Sequence, residues 1–174
     1  MASIFGHSLA AIALGKSFSE ELRKPKFWIL GILCSIVPDA DVIGFKFGIP
    51  YNSFWGHRGF THSLFFAVLF GILLAYTFYK VKRPLLALYF TLCVASHTVL
   101  DAMTSGGLGV AFFSPFENSR YFLPWTPIQV SPLRMKQFFS EWGLEVIKSE
   151  LIWIGIPFVL LLLIVKLIQR ATTN

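Results

Sequence analysis

Charged side chains are scarce in this chain of 174 residues, where they make up 14% of the sequence. A typical soluble domain has roughly 25% charged residues. Hydrophobic residues account for 55% of the chain, and its 19 Phe and five Trp exceed what so small a soluble core could bury. The composition therefore excludes an ordinary soluble monomer and a disordered chain, and it indicates an integral membrane protein. The length predicts a single domain over residues 1–174.

Cysteine is scarce, and basic residues are missing from the first stretch of the chain. Cys34 and Cys93 both lie inside apolar runs, which excludes a secreted disulfide scaffold. Neither Lys nor Arg precedes Lys16, so the basic segment that opens a signal peptide is lacking. We therefore expect the apolar N-terminal stretch to be retained in the protein.

Long apolar runs supply the candidate membrane helices. A bilayer core about 30 Å thick needs roughly 20 apolar residues in a helix. Residues 63–79, 85–100 and 151–168 approach that length, whereas 27–37 is too short to span unless flanking residues join it. Residues 2–15 predict a further, shorter helix. The fold class predicted is an all-α membrane bundle of four to five helices, with a loop rich in Gly, Pro and aromatic residues after the fourth.

The distribution of basic residues predicts the orientation of this bundle. An alternating five-helix arrangement places nine basic residues on one side, opposed there only by Glu20 and Glu21, for a net charge of +7. The other side holds six basic and seven acidic residues, a net charge of −1. The basic side is expected to be cytoplasmic. The overall charge of +6 is thereby attributed to cytoplasmic loops, and no nucleic-acid partner is expected. The nine residues are Lys16, Arg23, Lys24, Lys26, Lys80, Lys82, Arg83, Lys166 and Arg170.

Histidine and aspartate side chains are predicted to meet at the opposite, outer end of the bundle. Ionisable groups at membrane depth are costly unless they are paired or bind a metal, so such a cluster indicates a functional site. The cluster comprises His7, Asp39, Asp41, His57, His62, His97 and Asp101.

The spacing of these residues suits metal binding. His97 and Asp101 are four residues apart, so one helical turn presents both to a single cation. Asp39 and Asp41 are two apart where the second helix is expected to stop, and in a turn they can bridge or bracket ions. His57 lies in a glycine-containing loop, which frees it to turn toward the same site as His62.

Each residue taken alone also has a simpler interpretation. His7 could be a hydrogen-bonded core histidine, Asp39 or Asp41 a helix cap, and His97 with Asp101 a plain hydrogen-bonded pair. Thr61 is expected to cap the third helix at its N-terminus. The convergence of all seven acidic and imidazole groups on one side favours the metal site.

Four sequence segments together resemble the YdjM-type family of bacterial inner-membrane proteins. They are His7, the Pro38-Asp39-Ala40-Asp41 segment, the HRGFTHS block of residues 57–63, and residues 97–107, which begin with His97-Thr98-Val99-Leu100-Asp101. The HRGFTHS block is the most specific of them, and the resemblance covers residues 7 to about 130. A more distant similarity is to zinc-dependent phospholipase C and related nucleases, whose later histidine ligands have no counterpart because no His follows His97.

The resemblance implies a membrane-bound, metal-dependent hydrolase that uses a metal-activated water on a phosphoester or ester of a lipid-like or phosphorylated substrate. We expect His57, His62, His97 and Asp101 to bind one or two divalent ions. Zn²⁺ fits this donor set best, and Mn²⁺ or Mg²⁺ would suit its carboxylates. The expected further ligands, or the base that orients water, are His7, Asp39 and Asp41. Arg58 is expected either to clamp a phosphate or, as a loop arginine, to cap a helix or contact lipid headgroups. The implied location is the bacterial inner membrane, with the active site on its outer face.

Residues 101–132 form the longest segment predicted to be non-helical, and residues 134–148 are expected to form a short amphipathic helix. The aromatic residues of the loop predict either a flap over the site or interfacial anchoring. Two other functions stay open: an ion or proton relay that uses the His/Asp cluster, and a non-catalytic metal-binding protein. A relay would be expected to carry polar groups through both halves of the bilayer.

Overall fold

The computed structural model describes residues 1–132 and 135–173, and within them every regular element is helical. This confirms the predicted fold class. Two isolated bridges, Thr104 with Ile128 and Val110 with Tyr121, fasten the long loop. The helices are α1 (Ile4–Lys16), α2 (Pro25–Ile36), α3 (Leu64–Phe78), α4 (Arg83–Ala102), α5 (Met135–Phe138), α6 (Glu141–Glu150) and α7 (Ile156–Thr173), with 3₁₀ segments at Glu20–Leu22, Val37–Phe47 and Phe60–His62 and a π-helical turn at Leu151–Gly155.

Among the described residues, three helical segments are by length and composition able to cross a membrane: Pro25–Phe47, Arg83–Ala102 and Glu141–Ile168. The second apolar run, too short by itself, reaches spanning length because α2 continues into the 3₁₀ segment Val37–Phe47. The α-helix ends at Ile36, close to the stop expected at Asp39 and Asp41. The turn expected at these two residues is wrong, because a 3₁₀ helix follows directly and Pro38 fits its first turn.

The helices alternate in direction, so the α1–α2 and α3–α4 connections meet at one end of the bundle. Lys26 Nζ donates to the carbonyl of Phe78 at 2.7 Å, and Lys82 forms an ion pair with Glu21. These contacts group two of the basic loops as the charge pattern predicts. The His and Asp residues lie at the other end.

Small residues allow α3 and α4 to pack closely. Ala67, Gly71 and Ala75 are buried at four-residue intervals along α3, which places them on one face. A Cβ on Gly71 would lie 2.3 Å from Thr91 Oγ1 and 2.6 Å from Thr91 N. The backbones of the two helices thus approach each other as membrane helices do where small residues line the contact.

An aromatic layer fills the bundle between the basic loops and the His/Asp end. Phe27 of α2 stacks on Tyr89 of α4 with ring centroids 4.0 Å apart. The Tyr89 hydroxyl donates to the carbonyl of Ala11 in α1 at 3.2 Å, and Gly31 leaves room for its ring. These contacts hold α1, α2 and α4 in the register that aligns their outer ends.

The last helical segment packs little against the rest of the chain. Only 6% of its most apolar window is buried inside the protein, so its apolar side chains face the lipid. The amphipathic helix expected over residues 134–148 corresponds to α5 and α6, except that residue 134 lies outside the described residues. α6 runs on through the π-helical turn into α7, so the amphipathic and spanning helices are one continuous element.

Candidate metal centre

All seven predicted His and Asp residues come together at one end of the bundle. His7 comes from the first turns of α1, Asp39 and Asp41 from the 3₁₀ segment, and His97 and Asp101 from the last turns of α4. His57 and His62 come from the loop before α3. The side chains of all seven are buried, and the most accessible of them, that of Asp39, is 7% exposed.

Four of these side chains surround one point. Asp39 Oδ1 lies 3.5 Å from His62 Nε2 and 3.4 Å from His97 Nε2, and the two imidazole nitrogens are 3.0 Å apart. Asp101 Oδ2 lies 3.6 Å and 3.9 Å from the same two nitrogens. Ligands bound tetrahedrally at about 2.0–2.1 Å lie about 3.3–3.4 Å apart. The five separations of 3.0–3.9 Å bracket this value, and all four ligand atoms lie within 4.8 Å of one another, so the group could hold a single cation.

Hydrogen bonds fix the nitrogens that point at this centre. His97 Nδ1 lies 2.7 Å from the Ser35 carbonyl, which can only accept, so Nδ1 carries the proton and Nε2 has a free lone pair. His62 Nδ1 lies 3.2 Å from Asp41 Oδ2. Metal-binding histidines are held in this way, with one ring nitrogen on a carbonyl or carboxylate and the other on the ion.

Asp41 holds the second half of the cluster. Its Oδ1 lies 2.7 Å from His57 Nδ1, and its Oδ2 accepts from the Arg58 backbone N–H at 3.1 Å and the Thr61 hydroxyl at 2.8 Å. Asp41, His57 and His62 form a second group that could hold an ion. Thr61 is not the cap of α3: Ser63 is, because its Oγ accepts from the Phe66 N–H at 3.0 Å.

Within the part of the chain that the structure describes, several buried polar atoms of the cluster have no hydrogen-bond partner. They are both ring nitrogens of His7, both carboxylate oxygens of Asp39, and Asp101 Oδ2. His7 stacks on His97 with centroids 3.7 Å apart, and its Nε2 lies 3.4 Å from Asp101 Oδ1. An unpaired buried polar group costs about 1–3 kcal/mol, and a bound cation would pair with the Asp39 oxygens and, beside its ion pair with Arg58, with Asp101 Oδ2. The residues present therefore fit a divalent metal.

Arg58 is fully buried and lies against Asp101. Its Nε is 3.1 Å from Asp101 Oδ2, and its terminal nitrogens donate to the Gly106 carbonyl and to Thr104 Oγ1, each at 2.8 Å. The residue adopts a left-handed backbone with φ of 63°. The guanidinium is thus paired with Asp101, Thr104 and the Gly106 carbonyl, and the phosphate clamp expected from the sequence stays a prediction.

The long loop covers the cluster and is attached by Arg120. Its terminal nitrogens donate to the carbonyls of His57 at 2.7 Å, Tyr51 at 2.9 Å and Ser53 at 3.1 Å. Sequence reasoning missed Arg120, because its partners are backbone carbonyls more than sixty residues away. Phe116 and Trp125 of the same loop are 82% and 55% exposed, as interfacial aromatic residues would be.

Burial and the neighbouring carboxylates together shift the pKa values of the two loop histidines in opposite directions. Burial lowers the pKa of His57, and the neighbouring Asp41 carboxylate opposes this only in part. Burial also acts to lower the pKa of His62, but hydrogen bonds with Asp101, Asp39 and Asp41 raise it to about 10. In the metal-free protein, the His62 imidazole is therefore protonated, and its positive charge lies among the three carboxylates.

The fold and this centre define a small multi-span membrane protein with a buried His/Asp cluster able to hold a metal ion. The family model described as YdjM inner membrane protein matches residues 1–173, and the chain belongs to that family. The Inner membrane protein YbcI of Escherichia coli (strain K12) is 36% identical over 165 residues, which cover 93% of this chain and 95% of the relative. No solved structure matches the chain.

Proposed function

We propose that this inner-membrane protein is a metal-dependent hydrolase. The observation that carries the proposal is the pocket formed by Asp39, His62, His97 and Asp101, whose ligand atoms lie within 4.8 Å of one another and include buried oxygens without hydrogen-bond partners among the described residues. Two imidazoles and two carboxylates favour Zn²⁺, with Mn²⁺ or Mg²⁺ as alternatives.

The chain's own residues support hydrolysis of an ester or phosphoester. A divalent ion held there would supply an activated water and polarise the ester oxygen. His57, held through Nδ1 by Asp41, would accept a proton from water at its other ring nitrogen, as a carboxylate-held histidine does in other hydrolases. Arg58 keeps the Asp101 carboxylate in place.

The surroundings of the site support a lipid-like substrate. A groove of about 430 Å³ lies between the first turns of α3 and the long loop, directly after His62 in the chain. Its lining is almost entirely apolar, and the proposed occupant is the hydrocarbon part of the substrate. The site would then face the outer side of the inner membrane, opposite the basic loops. The lining residues are Leu64, Phe65, Val68, Phe112, Phe113, Ser114 and Phe116.

A hydrolysis assay on the purified, metal-loaded protein tests the proposal. The panel comprises aryl phosphodiesters, phospholipids and carboxylic esters, measured with the wild type, with His97→Ala and with Glu117→Gln as the control. Glu117 lies in the exposed loop and pairs with Tyr121. We expect at least one substrate to be cleaved by the wild type and the control, and its cleavage to be lost in His97→Ala. Equal activity in all three proteins would contradict the assignment.

A non-catalytic metal-binding protein is the second candidate, because four protein ligands can fill a tetrahedral coordination sphere as structural sites do. Tight metal binding without hydrolysis across the panel would favour it. An ion relay is less well supported, since Phe27, Tyr89 and Phe90 pack the bundle interior on the basic side of the cluster.

A further inference from the structure

Glu150 is a buried acid in the last helical segment that the site described above does not include. It lies at the end of α6, directly before the π-helical turn, and is 6% exposed. Its carboxylate accepts from the backbone N–H of Ser3 and from the Ser3 hydroxyl, the latter at 2.6 Å. Burying a carboxylate near the membrane costs free energy, so the burial of Glu150 indicates a specific role.

Ser3 connects Glu150 to the metal centre. It caps α1, with its Oγ accepting from the Gly6 N–H at 3.3 Å, and its carbonyl accepts from the His7 N–H at 3.1 Å. The neighbouring Ala2 N–H donates to Asp101 Oδ1 at 2.8 Å. Glu150 therefore binds the N-terminal segment of residues 2–3, whose backbone also contacts His7 and Asp101 Oδ1.

The packing around Glu150 leaves little freedom. A Cβ on Gly6 would lie 2.9 Å from Glu150 Cδ and 2.9 Å from Ile154 Cδ1, so α1 and the last helical segment touch directly. Two further polar contacts tie α6 to the loop at this end: the Gln129 N–H donates to Ser149 Oγ at 3.0 Å, and Trp142 Nε1 donates to the Val130 carbonyl at 2.8 Å. Only 6% of the most apolar window of Glu141–Ile168 is buried, and the polar side-chain contacts described here between this segment and the rest of the chain lie at this end of the bundle.

We propose that Glu150 is a positioning residue, through which the last membrane helix completes the metal centre. Through Ser3, it fixes the start of α1, and with it the His7 ring and the Asp101 carboxylate. This inference rests on the proposed metal centre. Groups that orient metal ligands from behind typically contribute 10–100-fold to metal affinity.

Zn²⁺ titration of the full-length protein in detergent micelles tests this proposal. Glu150→Ala is compared with Glu145→Ala, a matched control on the same helix whose carboxylate is exposed and pairs with Lys148. We expect Glu150→Ala to bind Zn²⁺ 10–100-fold more weakly than the wild type and Glu145→Ala to bind it equally well. Ser3→Ala should weaken binding in the same direction, and adding it to Glu150→Ala should cost less than the sum of the two effects.

The Co²⁺-substituted protein gives a readout that a purely structural role would not move, because its visible spectrum reports the ligand geometry. We expect an altered spectrum in Glu150→Ala and a return toward the wild-type spectrum in Glu150→Gln, which keeps one acceptor oxygen for Ser3. Unchanged affinity and spectrum in Glu150→Ala, or in Ser3→Ala should Glu150→Ala not fold, would overturn the proposal while leaving the metal centre intact. Failure of the wild type to bind Zn²⁺ would overturn both.

Discussion

Asp41 shows how much a single side chain outside the four-residue pocket controls. Its two oxygens hold His57, His62, Thr61 and the Arg58 backbone. In Asp41→Asn one of these oxygens becomes an amide that donates, so at least one imidazole loses its acceptor. We expect Zn²⁺ affinity to fall about 10–100-fold, measured by competition with a chromogenic chelator. Unchanged affinity would show that His62 does not need this support.

Proton competition at His62 predicts a pH dependence of metal binding. Because hydrogen bonds with carboxylates hold the pKa of His62 at about 10 in the metal-free protein, this imidazole carries a proton at neutral pH that must leave before Nε2 can bind an ion. Affinity should rise about tenfold per pH unit between pH 6 and 9. Binding in a weakly buffered solution should release a proton. A flat profile over this range would contradict the protonated state of His62.

Some residues of the site could be recognised from the sequence, whereas Arg120 and Glu150 could not. His7, Asp39 and His97 stand out because ionisable groups are rare in apolar runs. Arg120 and Glu150 do not stand out, since one is an ordinary loop arginine and the other lies among several charged residues of an amphipathic helix. Their roles depend on partners that are distant in sequence, and only the tertiary fold brings them together.

At the scale of elements, the apolar runs predicted the helices well and their ends poorly. The run at residues 27–37 was too short to span, but it continues as a 3₁₀ segment to Phe47. Periodicity alone gives no sign of a change from α to 3₁₀ geometry. The change matters for the site, because in the 3₁₀ segment Asp39 faces His97 while Asp41 faces His57.

Close contact between α3 and α4 is a second property of elements that can be tested. In Gly71→Ala the new methyl group would overlap with the backbone of Thr91 and force the helices apart. We expect a loss of about 1–3 kcal/mol, measured as a lower midpoint of thermal unfolding in detergent. Gly155→Ala is the control, because its nearest neighbour would lie at an ordinary 3.8 Å. Equal midpoints for the two variants would contradict the close packing.

For the whole molecule, the alternation of helices predicts opposite faces for the basic loops and the His/Asp end. Cysteines placed at exposed Lys80 and Phe116 report the two faces, and the native Cys34 and Cys93 are fully buried. In spheroplasts, a membrane-impermeant maleimide should label Phe116→Cys and spare Lys80→Cys. The reverse pattern would place the metal centre on the cytoplasmic side.

The central claim, that the buried His/Asp cluster binds a metal ion, is tested most directly by the metal content of the purified protein. Elemental analysis by mass spectrometry compares the wild type with His62→Ala, Asp101→Ala and the loop control Glu117→Gln. One or two divalent ions per chain are expected in the wild type and in Glu117→Gln, with a loss in both cluster variants. Full metal content in His62→Ala and Asp101→Ala, or none in the wild type after exposure to Zn²⁺, would contradict the account.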